Sequence, residues 1–423
     1  MTNQATAVDR YHGLDFLRAA MMLMGVLLHS GVMYMPMPYG ADVSGVLADA
    51  TDPYRDISGY SVAVQRIVIT IHIFRMPAFM LLAGFFGSML IQKRGDASFW
   101  RNRCRRIVIP MTLFWLVLWP MDRFGWQFGG AMMQDAGAAT SGWELFVGTF
   151  QGELLPFFGD VAPHTMHLWF IYYLIYFYAI TYFLQRALSM LAPGALAAAQ
   201  RSLTQLGASP AAWLVMPVLI GVTYAVLSSN GVTHFLVSFD FLPNLLTALP
   251  YYLFFLCGWI CYHHRGVIDF AARMFWPLMP VSLALLVANI YFGEQAWIAQ
   301  VEQMNSADAS AQPTAELVHL TTLATWLQSC SVWFISLTLI GMCHRWITRP
   351  SPKLTFLVGA SYWLYLVHRP MCTMFAAMLQ RWQMPGLLKF AIGCAAVTTV
   401  CLVTYQFFVR RTVIGVLLNG RRS

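Results

Sequence analysis

The chain has 423 residues, of which 58% are hydrophobic and only 10% are Asp, Glu, Lys or Arg, and its mean hydropathy is +0.59. A water-soluble domain carries about 25% charged residues, so a soluble enzyme is excluded, and the net charge of +8 needs an explanation other than nucleic acid. The composition is that of an all-α polytopic membrane protein. In chain order, apolar segments of near-spanning length fall at 13–35, 67–91, 107–121, 166–188, 211–228, 246–262, 275–292, 322–342, 355–379 and 386–409, which predicts about ten transmembrane helices in a single integral-membrane domain over 1–423. The less hydrophobic stretches between them are predicted as outer loops at 36–65, 122–164 and 293–321 and an Ala-rich inner linker at 190–210.

The first segment runs YHGLDFLRAAMMLMGVLLHSGVMYM from Tyr11 to Met35. It is long and lacks a small-residue cleavage site, so it reads as a retained helix rather than a signal peptide. Its polar members are Asp15, Arg18 and His29. A helix turns about 100° per residue, so Arg18 and His29, eleven positions apart, project the same way. Asp15 lies one turn from Arg18 on that face. Ionisable groups inside a membrane are costly and mark functional sites by default. The structural alternative is an Asp15–Arg18 pair at the helix end, with His29 a satisfied interior histidine.

The second segment places His72 and Arg75 one turn apart on one face, in its outer half. After it comes the basic loop RNRCRRIVIP, in which Arg103 and Arg106 are spaced to share a helix face just below the membrane. Such charge sets topology and attracts anionic lipid at about 1 kcal/mol per residue; it also suits a phosphate clamp, because the planar arginine fork binds phosphate bidentately. The third segment is short and ends at Trp119-Pro120, which predicts a tilted or broken helix. The loop after it is rich in Gly and aromatics (Phe124, Trp126, Phe128, Trp143, Phe157, Phe158), a composition that fits sugar stacking or an interfacial aromatic belt. The fourth segment opens with His167-Leu-Trp169-Phe, beside His164, and the ninth carries His368-Arg369-Pro370. Four segments thus bring a histidine toward similar depths, which predicts the lining of a polar cavity.

Charge gives the orientation. Lys93, Arg94, Arg101, Arg103, Arg105 and Arg106, then Arg345, Arg349 and Lys353, then Arg410, Arg411, Arg421 and Arg422 all fall on one side of the alternating segments, with Asp42, Asp49, Asp52, Asp56, Glu294, Glu302, Asp308 and Glu316 opposite. The positive-inside rule therefore predicts that the N-terminus and C-terminus are both cytoplasmic. The net charge is a topology signal. The cysteines lie mainly in or at the ends of apolar segments and form no disulfide framework; small hydrophobe is their default role. No metal site, Walker loop or dinucleotide-binding glycine pattern is visible, and no bound cofactor is expected.

Arg18, ten residues and His29 in the first segment, Arg103-x-x-Arg106 leading into Ile-x-x-Pro110, HLWF at 167–170 and YLVHRP at 365–370 together resemble the signatures of the membrane-bound acyltransferase 3 family. The resemblance covers nearly the whole chain. HIFRMPAFMLLAGFF (72–86), LPYYLFFLCGW (249–259) and YLVHRP look most like the succinyltransferases that modify osmoregulated periplasmic glucans. The resemblance includes no segment like the extracytoplasmic esterase-like domain of some members, so the chain is expected to deliver its acyl group itself.

The resemblance implies an O-acyltransferase in a bacterial inner membrane that takes an acyl group from cytoplasmic acyl-coenzyme A, succinyl-CoA or acetyl-CoA, and places it on a hydroxyl of a periplasmic glucan or another envelope sugar. Its partners would be the acyl-CoA, that sugar acceptor and membrane lipids, with a homo-oligomer left open. Arg103 and Arg106 would hold the phosphates of coenzyme A. His29, with Arg18 and Asp15, would form the catalytic set, His29 acting as general base or as a transient acyl carrier. His72, Arg75, His167, Trp169, His368 and Arg369 would line the substrate pocket, an arginine among Arg18, Arg75 and Arg369 pairing with the free carboxylate of a succinyl group. The competing readings are an O-acetyltransferase of another envelope polysaccharide, a proton-coupled transporter and a scaffold for a polysaccharide synthase. Against the transporter, no paired half-helix breaks are seen in corresponding halves.

Overall fold

A computed structural model describes residues 11–35, 59–133, 142–148, 164–208, 214–304, 312–349 and 351–420, and the structural statements below concern these. Most of the predicted outer loop 36–65, the basic residues Arg421 and Arg422, and the loop aromatics Phe157 and Phe158 lie outside them.

Every regular element among the described residues is helical. Helix α1 (His12–Gly31) carries Asp15 in its first turn, where a carboxylate suits the helix dipole, and His29 in its last. Helix α2 (Val62–Arg94) is capped by Ser61 and ends in Lys93 and Arg94 before Gly95. Helix α3 (Asp96–Arg103) continues through a π-helical turn, Cys104–Val108, into α4 (Ile109–Met133). The short α5 (Gly142–Gly148) follows. A 3-10 turn at Met166–Leu168 leads into α6 (Trp169–Leu191), then α7 (Pro193–Ala208) and α8 (Val215–Ser229). Helix α9 (Leu245–Cys261) bends by 102° into α10 (Gly266–Arg273). The long α11 (Phe275–Met304), α12 (Ala315–Trp346) and α13 (Pro352–Gln380) come next. Helix α14 (Gly386–Thr404) passes through a second π-helical turn, Tyr405–Val409, to α15 (Val413–Asn419).

Each of the predicted spans falls on a helix. By length and composition, seven helices among the described residues can cross a membrane, or eight if the bent α9–α10 pair is one crossing; α8 is shorter, at 15 residues. The protein is a multi-pass membrane protein. Three boundaries differ from expectation. Pro120 does not break the third segment: α4 runs through it to Met133, as a helix in a bundle can where its neighbours accept the kink. The stretch from Asp122 to Met133, expected as outer loop, is therefore helix. The Ala-rich linker is itself the helix α7, as its strong helix formers favour, and α11 and α12 extend into the predicted loop 293–321.

The bundle centres on α1, α2, α12 and α13, with α9 against α2, α11 against α12, and α4 and α14 against α13. Two glycines bring the backbones of α2 and α9 into contact. A methyl group on Gly84 would sit 1.9 Å from the Phe255 carbonyl oxygen, and one on Gly258 would sit 1.8 Å from that of Leu81. In lipid, where apolar contact alone gives no preference for helix over solvent, such small-residue contacts drive packing.

Proline supplies a second device. A proline inside a helix removes the donor for the carbonyl four residues earlier, and a membrane-buried carbonyl must find another. Pro77 frees Ile73, whose carbonyl accepts from Gln328 Nε2 on α12 at 3.1 Å; Asn289 Nδ2 on α11 in turn donates to Gln328 Oε1 at 2.9 Å. Pro250 frees Leu246, which accepts from Asn230 Nδ2 at 3.0 Å. Pro370 frees Leu366, which accepts from His167 Nε2 at 3.0 Å. Each proline thus binds its helix to a neighbour through a side-chain donor.

Candidate active site

The last of those bonds lies in the middle of the site. His167 on the turn before α6 and His368 on α13 are buried, at 3% and 1% exposure, and His29 of α1 is half-buried beside them. Ring centroids are 5.1 Å apart for His29–His368, 5.3 Å for His167–His368 and 6.3 Å for His29–His167. Among the described residues no group of three His, Cys, Asp or Glu side chains is placed to hold a metal ion.

Backbone carbonyls fix two of the three rings. His368 Nδ1 lies 2.9 Å from the carbonyl oxygens of Leu364 and Tyr365. A carbonyl only accepts, so Nδ1 carries the proton and Nε2 a lone pair. His167 Nε2 donates to the Leu366 carbonyl, leaving the lone pair on its Nδ1. Both lone-pair nitrogens, His368 Nε2 and His167 Nδ1, are buried without a hydrogen-bond partner. The chain enters this turn under strain: Met166 has φ +51°, which a side chain disfavours. Its N–H donates to His164 Nδ1 at 3.1 Å, and Thr165 N–H donates to the Phe239 carbonyl at 2.7 Å. Burial, then Arg369 and Arg123, push the His164 pKa down to about 4, which keeps it an acceptor.

Arg75 joins the cluster from α2. A Cβ built on Gly25, one turn before His29, would lie 2.7 Å from Arg75 Nη1 and 3.3 Å from His368 Nε2. The missing side chain is the notch through which the guanidinium reaches α1. Arg75 is 7% exposed and its buried Nε has no hydrogen-bond partner. No carboxylate pairs with it among the described residues, so its charge is available to a ligand.

The other expected pocket residues have partners of their own. Arg369 is committed to a buried ion pair with Asp122 of α4 at 3.0 Å and lies 6.0 Å over the Trp126 ring. His72 packs against His234, 6.4 Å between centroids; His234 follows α8 and is pushed to about 4 by burial. Trp169 packs in an aromatic cluster, edge-on to Tyr173 and tilted against Tyr251, both 5.2 Å away.

At the opposite end of α1 the bundle opens into a cavity of about 730 Å³ lined by His12, Arg18, Lys93, Arg94, Arg103 and Arg106. Arg18 pairs with Asp15 at 3.2 Å and lies 5.2 Å over the Phe86 ring. Arg103 donates to the Tyr178 hydroxyl at 3.1 Å, and Arg106 donates to the Asn419 carbonyl at the end of α15. Arg18 and Asp15 are thus not beside His29: eleven and fourteen residues of helix separate them from it, about 16 and 21 Å at ~1.5 Å per residue. Met22, Phe79 and Phe170 also line the cavity, and the two phenylalanine rings meet edge to face at 4.5 Å. His167 stands one turn before Phe170.

A family model described as an acyltransferase domain matches residues 11–406. The chain belongs to the acyltransferase 3 family. It is also similar to curated proteins named Glucans biosynthesis protein C from Salmonella heidelberg (strain SL476), Salmonella typhi and Salmonella typhimurium, 25% identical to each over 97% of this chain and 95% of the relative. No solved structure matches. This membership makes the protein a membrane acyltransferase and sets aside the transporter and scaffold readings.

Sequence reasoning missed Asp122, which it assigned to a loop, and Gly25. Their only signals were an acid beside Arg123 in an otherwise apolar run, and a glycine one turn from His29 on its face.

Proposed function

We propose that the protein transfers an acyl group, succinyl in preference to acetyl, from acyl-coenzyme A to a hydroxyl of a glucan in the periplasm of a bacterium, across the inner membrane. The observation that carries this reading is the convergence of His29, His167, His368 and Arg75 about 16 Å along α1, at ~1.5 Å per residue, from a basic cavity able to take a polyphosphate ligand. The donor's phosphates sit among Arg18, Arg103 and Arg106, at the end the positive-inside rule assigns to the cytoplasm. Its thioester arm passes Phe79 and Phe170 toward the histidines. The half-buried His29 faces the acceptor.

Neutral His29 takes the proton of the acceptor hydroxyl as its oxygen bonds to the thioester carbonyl carbon. The tetrahedral intermediate's oxyanion, or the distal carboxylate of a succinyl group, falls to Arg75. Collapse breaks the carbon–sulfur bond, and His29 returns the proton to the leaving thiolate. The products are the sugar ester and free coenzyme A. The similarity to proteins named for glucan biosynthesis supports the acceptor class.

The test is free-thiol release from succinyl-CoA and from acetyl-CoA by purified protein with a neutral β-glucan. Acceptor-dependent release, faster with succinyl-CoA and reduced about 10²- to 10⁴-fold in His29→Ala, is expected. Undiminished release in that variant removes His29 from the chemistry, and acetyl-selective release removes the succinyl assignment.

A further inference from the structure

Arg106 is held at both ends by residues far from it in sequence. It lies in the π-helical turn Cys104–Val108, a local form frequent at functional sites. Its backbone carbonyl accepts from the Tyr362 hydroxyl of α13 at 3.0 Å. Its guanidinium, half-buried in the wall of the basic cavity, donates through Nη2 to the Asn419 carbonyl. Asn419 is the last residue of α15, so this carbonyl is one that a helix leaves without an internal partner. The end of α15 is itself fixed. Leu418 is 4% exposed and packs in the core. Asn419 Nδ2 donates at 3.1 Å to the hydroxyl of the buried Tyr405, in the second π-helical turn. Gly420 follows with φ +74°, and its N–H donates to the Val416 carbonyl at 2.7 Å, a left-handed cap that glycine adopts readily. A Cβ on Gly420 would overlap Arg106 Nη2. Leu418, Asn419 and Gly420 line the same cavity as Arg106.

We propose that the end of α15 is a wall of the donor site: the Asn419 carbonyl, kept in place by the Gly420 cap and the Asn419–Tyr405 bond, positions Arg106 for the phosphates of coenzyme A. The proposal rests on the acyl-transfer reading. A guanidinium carries five N–H donors, and the carbonyl takes one of them. An arginine that rotates freely loses conformational entropy when it grips a ligand, and one already held loses less. Asn419 and Gly420 act through Arg106 and are positioning residues. Gly231 offers the comparison that separates this role from backbone strain. It too has a positive φ, +66°, but a Cβ there would meet nothing within 4 Å.

The experiment measures calorimetric binding of coenzyme A to full-length protein in nanodiscs, and turnover of succinyl-CoA and of succinyl-pantetheine, which has no phosphate. Gly420→Ala is expected to weaken coenzyme A binding about tenfold, the order of one hydrogen bond to a charged group. It raises KM for succinyl-CoA to match, with kcat within about twofold and kcat/KM for succinyl-pantetheine unchanged. Asn419→Ala keeps the carbonyl but unties it from Tyr405; it gives a smaller loss of the same kind and carries the test should Gly420→Ala not fold. Gly231→Ala changes none of these quantities. In an Arg106→Ala background, Gly420→Ala has no further effect on coenzyme A affinity. Unchanged affinity in Gly420→Ala overturns the proposal, as does a loss that persists without Arg106 or falls equally on succinyl-pantetheine. Binding is independent of turnover. A wild type that binds coenzyme A in this Gly420-dependent way yet cleaves no thioester upholds the positioning role and defeats the acyl-transfer reading; a protein that transfers acyl groups with an affinity indifferent to Gly420 does the reverse.

Discussion

A single absent side chain shapes the site. Gly25→Ala would put a methyl group 2.7 Å from Arg75 Nη1, too close for both to stay. Helix α1 itself gains from the change, since Ala is favoured over Gly in a helix by about 0.5–1 kcal/mol. The expected outcome is therefore a stable protein with Arg75 displaced: a melting temperature near that of wild type and acyl transfer reduced about tenfold or more, as positioning losses of this kind are. The control is Gly221→Ala on α8, where the new methyl group meets nothing within 4 Å and activity is retained. Activity surviving Gly25→Ala would show that Arg75 need not reach α1. Arg75→Ala separates its two proposed roles. Pairing with a succinyl carboxylate predicts a larger loss with succinyl-CoA than with acetyl-CoA, whereas a loss equal for both donors assigns Arg75 to the oxyanion alone. At this scale the sequence was informative about which residues matter and less so about where they go. Helical phase put His29 and Arg18 on one face, and ionisable residues in apolar segments pointed inward. Phase alone does not tell a partner on another helix from a substrate, so Arg369, satisfied by Asp122, looked the same as Arg75, which is not.

Proline-freed carbonyls organise the elements. The Ile73 carbonyl is held by Gln328, and Gln328→Leu leaves it unsatisfied, at a cost of about 1 kcal/mol by the measured worth of polar contacts in membrane bundles. Pro77→Ala restores the native helix donor, so in that background Gln328→Leu costs less. A double-mutant cycle by thermal unfolding in detergent is expected to show this non-additivity, and strict additivity would mean that Gln328 does not serve the Pro77 kink. The entry to α6 is sensitive to pH for a related reason. His164 must stay neutral to hold the strained Met166, and its pKa is about 4 in the folded chain against about 6.5 unfolded. The unfolded state binds the extra proton between those values, so this contribution to stability is complete above pH 6.5 and is lost as pH falls toward 4. Melting temperature is expected to fall over that window, less steeply in His164→Gln. Element type was legible from apolar run length throughout. The error at Pro120 came from treating proline as a terminus, when a helix in a bundle continues past it wherever neighbours accept the kink.

For the whole molecule, the arrangement makes a prediction about sides. The cavity with Arg18, Arg103 and Arg106 opens where α1 and α13 begin and α2 ends, and the histidines lie toward the other end of the same helices. No helix needs to move across the bilayer for a donor to enter at one end and an acceptor at the other; the Phe79–Phe170 contact lines the cavity, and Phe170 lies one turn after His167. Transfer should then depend on the compartment of each substrate. In proteoliposomes of uniform orientation, acyl-CoA on the side of the basic cavity and glucan on the opposite side are expected to give acylated glucan, while both on either one side give little. The charge of coenzyme A prevents it from crossing lipid unaided, so the two arrangements stay distinct during the assay. Phe170→Ala removes the ring that packs on Phe79 at the cavity wall without replacing a histidine, and with only donor present it is expected to raise slow thioester hydrolysis, because water from the acceptor side then reaches the donor carbonyl. If both substrates on the cavity side react as well as substrates held apart, acyl transfer takes place within that cavity, and the histidine cluster does not house the chemistry.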